Sequence, residues 1–222
     1  MNTREKILTQ VKDLLNSIPA HVNVLAAAKT RTIDEVTAAY EGGIRHFGHN
    51  YVQEAQGMIS GVGFDARWHM IGHLQRNKAG QAIELFHMIE SLDSVKLALE
   101  LEKRCAQSQN QMDVLIEVNS GLEEEKTGIS PQQAEDLAWA MSELAHLRLV
   151  GLMTMGPFTG DPEDSRPYFT RTRRLFEHLG GLGIPNMEMR VLSMGMSNNY
   201  RVAIEEGATL VRIGTLLFGP RA

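Results

Sequence analysis

Cysteine is almost absent from this chain: Cys105 is the single one in 222 residues. An internal disulfide is therefore excluded, and such usage suits a reducing compartment. No apolar run approaches the length of a membrane span. The opening stretch, MNTREKILTQ, interleaves charges with apolar residues and does not read as a secretory signal. There is no Lys/Arg block, and a formal net charge of −5 argues against broad electrostatic binding of nucleic acid. GxSxG, P-loop and HExxH motifs are missing. So are low-complexity segments and linkers. These absences lead us to expect a soluble cytoplasmic protein, one domain over residues 1–222, with neither nucleic acid nor membrane as partner.

What is present is alternation. Ile7, Val11, Leu14, Leu15 and Ile18 form a helical stripe over Thr3 to Ser17, ended by Pro19. After it, strand-like runs are expected at Val22–Ala28, Ile44–Phe47, Arg67–Ile71, Met88–Leu92, Met112–Val118, Leu147–Thr154, Met189–Leu192 and Thr209–Ile213. Helical segments separate them. Thr32 with Glu35 makes a capping-box pattern, Asp93 reads as a cap, and Ser130 caps a helix with Pro131 at its first position. A further helix is expected from Asn198 to Glu205. Eight strands at roughly 25 to 30 residues per unit imply right-handed crossovers and a parallel sheet. A single (β/α)₈ barrel preceded by an extra helix fits this count. The competing architecture, an open doubly wound sheet, would usually carry a glycine-rich turn after its first strand. KTRT has no glycine there, and the barrel is favoured.

In such a barrel, chemistry sits where the strands end. Lys29 closes the run VNVLAAAK. An ammonium at the edge of a core is partly desolvated, which frees the neutral amine for Schiff-base chemistry. Opposite it in strand order, Ser193, Gly195 and Ser197 in SMGMS suggest a phosphate turn, with Ser197 placed to cap the next helix. Gly214 and Thr215 in RIGT supply a second such turn. His69 and His73 have metal-pair spacing, but WHMIG reads as strand and no acidic or cysteine ligand accompanies them, so zinc is disfavoured. His46 and His49 read as hydrogen-bonded loop or core residues, Glu123 to Lys126 as a solvated loop, and Met153, Met155, Met194 and Met196 as packing filler.

The segments AAAKT, HFGHNYVQE, WHMIGHLQRNK, GLMTM, SMGMS and AIEEGATLVRIGTLLFG resemble the pyridoxal-phosphate homeostasis protein family, relatives of the barrel domain of alanine racemase. The resemblance implies an α/β (β/α)₈ barrel of the alanine racemase N-terminal type, with pyridoxal 5′-phosphate (PLP) held as a Schiff base on Lys29. It implies phosphate contacts from Ser193, Gly214 and Thr215, helped by the turn through Ser197. Arg212 is expected near the pyridine nitrogen, and Asn50 in the pocket beside Lys29. The family usually has an acidic residue where this chain has His49, and another after SMGMS where it has Asn198 and Asn199. What those carboxylates do for pocket electrostatics or cofactor release is then in doubt.

Arginine disfavours protonation of the pyridine nitrogen and so weakens the ring as an electron sink. Racemases add a tyrosine base from a second domain of the partner subunit. Only nine residues follow the last strand here, and no such domain is expected. Of Tyr40, Tyr51, Tyr168 and Tyr200, none sits in a motif suggesting a partner for Lys29; Tyr51 is the least implausible. The expectation is a monomeric, non-catalytic carrier or regulator of PLP that serves PLP-dependent apo-enzymes. A weakly active PLP-dependent racemase or lyase is the alternative, and a cofactor-free aldolase-type barrel is a third possibility.

Overall fold

The computed structural model describes residues 2–122, 127–157 and 160–220. The stretch Glu123 to Lys126 lies outside them. Helix α1 (Thr3–Ser17) is followed by β1 (Asn23–Ala27), α2 (Ile33–Glu41), β2 (His46–His49), α3 (Val52–Gly61), β3 (Arg67–Met70), α4 (Ala79–Leu85), β4 (Met88–Leu92) and α5 (Val95–Ser108). Then come β5 (Met112–Val118), α6 (Pro131–Met141), β6 (Leu147–Thr154), α7 (Arg166–Gly181), β7 (Met187–Met196), α8 (Tyr200–Glu205), β8 (Leu210–Ile213) and α9 (Thr215–Phe218). Every neighbouring pair of strands is parallel, and β8 pairs back with β1 through Leu25 opposite Arg212, so the barrel is closed. The open doubly wound alternative is excluded.

Strand alternation sorts the side chains into two sets. Val24, Ala26, Ala28, Phe47, Trp68, Val114, Ile116, Leu192, Val211 and Ile213 face the helices and belong to one large apolar cluster. The inward set is unusual for this architecture, which is commonly filled with branched aliphatics. Its apolar filling is a small cluster of Met88, Leu115, Val150 and Met153. Around it, buried polar residues His69, Glu90, Ser193 and Arg212 occupy inward positions.

Helix α1 covers the outside through Ile7, Val11 and Leu14. It packs closely on α2: a Cβ on Gly42 would lie 2.8 Å from Val11 Cγ1. The capping box at Thr32 and Glu35 forms, as the sequence indicates. Asp93 does not cap α5; Ser94 does, its Oγ accepting from Leu97 N at 3.3 Å, while Asp93 sits 3.1 Å from His73.

Two strand boundaries shift for local reasons. Ile44 does not open β2. Its N–H bonds to Ala39 O at 3.1 Å and that of Gly43, at φ 120°, to Tyr40 O at 3.0 Å, so this apolar residue closes helix α2. Strand β7 runs far beyond its apolar centre, because Ser193 is an inward polar position and Gly195 a close-packed glycine, both of which an apolar-run reading discounts.

Candidate functional site

Along β1 the inward residues are Asn23, Leu25 and Ala27, and the same alternation carries Lys29 to the C-terminal mouth of the barrel. The chain then turns sharply. Thr30 takes a left-handed conformation at φ 62°, costly for a β-branched residue, and its N–H is held by the Glu54 carboxylate from α3. Arg31 ties the turn to the far end of the sequence, donating to Gly219 O at 2.7 Å.

A cavity of about 280 Å³ opens at this mouth, and six of the seven residues expected at the site line it: Lys29, Asn50, Ser197, Arg212, Gly214 and Thr215. Lys29 is half-buried. Asn50 is set by Gly72, where a Cβ would lie 2.5 Å from Asn50 O and 2.7 Å from its Cα. Ser197 does not cap α8. Its Oγ instead accepts from Gly214 N and Leu216 N, both at 3.2 Å, and so reaches across to the first turn of α9. Asn199 shapes the β7–α8 turn, accepting from Met196 N at 2.8 Å and donating to Ser165 Oγ at 2.7 Å. Gly195, at φ 93°, has no room for a side chain: a Cβ there would lie 2.5 Å from Ala203 Cβ.

Ser193 is the exception. It is fully buried and does not line the cavity. Its hydroxyl donates to Glu90 Oε2 at 2.6 Å and accepts from Arg212 Nη1 at 2.7 Å. Arg212 Nη2 donates to Thr154 O at 2.8 Å. Ser193 thus sits beneath Arg212 and holds its guanidinium, away from the cavity lining where a phosphate contact was expected.

Glu90 continues the chain. His69 Nδ1 lies 2.7 Å from its Oε1, and His69 Nε2 lies 2.9 Å from His46 Nδ1. Burial opposes ionisation of Glu90, yet the hydrogen bond from His69, the charges of His69 and Arg212, and the Ser193 hydroxyl hold its carboxyl below the usual range. Burial lowers the Arg212 pKa, while Glu90 and Glu117 oppose that shift. Glu117 is pushed up by burial, against a 2.5 Å hydrogen bond from Thr127 and the charge of Arg212.

Sequence reading missed Glu90 and the role of His69 in orienting it; each acidic partner comes from the next strand unit, so His69 and His73 do have carboxylates beside them. It also missed Met155 and Met196, which line the cavity rather than merely filling space. His49 is fully buried, with its Nδ1 3.9 Å from Glu54 Oε2, and burial lowers its pKa against the pull of that carboxylate. Asn198 is exposed at the cavity rim and donates to Gly160 O at 3.3 Å. None of the four tyrosines lines the cavity; Tyr51 lies in a neighbouring groove with Gln53 and His73.

Residues 5–222 match the family model described as alanine racemase, N-terminal domain. A pyridoxal phosphate homeostasis protein from Aquifex aeolicus is 43% identical over 199 residues, covering 89% of this chain and 86% of that one. The chain belongs to the pyridoxal phosphate homeostasis protein family. Its relative from Haemophilus influenzae is 37% identical over 221 residues, covering 98% of this chain and 92% of that one. The solved structure of PipY from Synechococcus elongatus PCC7942 with PLP bound superposes with a TM-score of 0.88 at 30% identity, covering 96% of this chain and all of that one. Alanine racemase from Clostridium difficile, at 12% identity and a TM-score of 0.83, shares the fold; this member of the homeostasis family spans 57% of that enzyme's length. Among the described residues no helix is long and apolar enough to cross a membrane.

Proposed function

We propose that this protein binds pyridoxal 5′-phosphate at the C-terminal mouth of its barrel, through a Schiff base at Lys29, and works in PLP homeostasis as a carrier or regulator. One observation carries the reading: a single cavity gathers Lys29 from the end of β1, Arg212 from β8 and the Ser197–Gly214–Thr215 turns. The family relatives named for PLP homeostasis, and the PLP-bound PipY structure, support the same cofactor.

The residues fit that ligand. The Gly214 and Leu216 N–H groups hold the Ser197 Oγ in place, which leaves the Ser197 O–H free to donate to a phosphate oxygen. Gly214 keeps the approach open beside Ala27, where a Cβ would meet ordinary contact at 3.6 Å. Arg212, fixed by Ser193 and Thr154, presents a cation to the ring and opposes protonation of its nitrogen. Bound PLP would supply an electrophilic aldehyde and an electron-withdrawing ring. Lys29 holds the aldehyde end, and the two turns hold the phosphate end. None of the four tyrosines lines the cavity, and in this reading the protein holds its cofactor without catalysis. In this reading the protein acts as a cytoplasmic monomer and passes cofactor to PLP-dependent apo-enzymes.

Borohydride reduction of the PLP-saturated protein, then peptide mass analysis, is expected to place the adduct on Lys29, with visible absorbance lost in Lys29→Ala. An adduct elsewhere, or none, would overturn the reading. Catalytic Cα–H exchange of amino acids in deuterated water would make the protein a PLP enzyme instead.

A further inference from the structure

A second and larger cavity, about 470 Å³, opens at the opposite, N-terminal face of the barrel. Its wall is made by residues that begin strands, among them His46, Arg67, Asp113 and Arg148, joined by His87 and Arg190. Asp113 bridges two of the three arginines, Arg148 at 2.7 Å and Arg190 at 2.8 Å. Glu188, exposed outside the wall, lies 3.4 Å from Arg190. Arg67 has no carboxylate within 4 Å among the described residues. Three guanidiniums against one carboxylate leave the wall with an excess of two positive charges. We propose that this cavity binds a small dianionic oxyacid, either a phosphate or a dicarboxylate.

The imidazoles give the site a second kind of contact. His87 Nδ1 accepts from Trp68 N at 3.1 Å, so the neutral ring carries its proton on Nε2 and can donate it. The other ring is set by the buried chain. His69 links Glu90 to His46, its Nδ1 2.7 Å from Glu90 Oε1 and its Nε2 2.9 Å from His46 Nδ1. Among the described residues His46 Nε2 has no hydrogen-bond partner. His46 is faced by His69, Arg67, Glu90 and His87; burial, aided by His69, Arg67 and His87 against the pull of Glu90, holds its pKa down at about 4. A dianion beside Arg67 offsets those charges, so binding favours uptake of a proton from solvent by the His46 ring. The same chain ends on Ser193 and Arg212, so this face is wired to the floor of the other cavity.

The test titrates inorganic phosphate and, separately, succinate while following the imidazole ¹⁵N resonances of His46 and His87. These rings lie at the far end of the barrel, so the readout does not require PLP binding. Saturable shifts of both rings with either anion support the site, and the tighter anion names its class. Arg67→Gln should weaken binding by at least about tenfold, the loss of one charge-assisted contact, and Arg67→Lys should restore part of it. Calorimetry in two buffers of different ionisation heat should register proton uptake that His46→Gln removes. Unmoved imidazoles up to anion concentrations on the order of tens of millimolar, or equal binding by Arg67→Gln, would overturn the proposal.

Discussion

Arg212 Nη1 donates to Ser193 Oγ at 2.7 Å, and both side chains are buried inside the barrel. This contact fixes the guanidinium that, among the described residues, lines the upper cavity. Through Glu90 and His69 the same linkage extends to His46 at the other end.

Glu90 is the charge that keeps this linkage together. Glu90→Ala leaves Arg212 and His69 without their buried counter-group and is expected to cost about 3–5 kcal/mol of stability. Glu90→Gln keeps the shape and should cost less. Urea unfolding followed by circular dichroism measures both, and a Glu90→Gln variant as stable as wild type would contradict an electrostatic role.

Asn50 depends on an absent side chain. In Gly72→Ala the new Cβ would sit 2.5 Å from Asn50 O. Backbone cannot yield cheaply, so the variant should lose about 1–3 kcal/mol and bind PLP more weakly by equilibrium dialysis. Wild-type affinity would separate Asn50 from the cofactor.

Acid should destabilise the fold in two stages. His46 titrates at 6.5 in a reference peptide and at about 4 in the fold. The unfolded chain therefore binds more protons between those values, and stability falls as pH drops from 6.5 towards 4. Allowing for the ring's partial exposure, the loss is about 2 kcal/mol. The stabilisation from ionised Glu90 is present above the ordinary carboxylate pKa and is lost below it, as pH falls through its depressed folded value. Glu117 has the opposite sign: its raised pKa makes the fold bind the extra proton, so it costs stability once pH exceeds the ordinary value. Urea midpoints against pH should show a shallower slope between pH 6.5 and 4 in His46→Gln, and Glu117→Gln should be more stable than wild type at neutral pH.

Cys105 is buried, and burial pushes its thiol up to about 11. A thiol reagent at neutral pH should leave the native protein unlabelled and modify it only after unfolding. Rapid labelling of the folded chain would show that α5 opens locally.

The sequence alone determined the architecture, because apolar periodicity is a local property: the run Met112–Val118 and the caps at Thr32 and Ser130 specify their elements wherever the rest of the chain goes. It also placed Lys29, since alternation from Leu25 through Ala27 aims it inward. Side-chain destinations inside the barrel were decided only by closure. Closing β8 against β1 brings Arg212 and Lys29 to one cavity, and it turns Ser193 beneath that guanidinium while Ser197 crosses to Gly214. Glu90 and His69 read as ordinary strand residues until their strands are neighbours, because the partners that make them matter lie on other strands, beyond the reach of any local pattern.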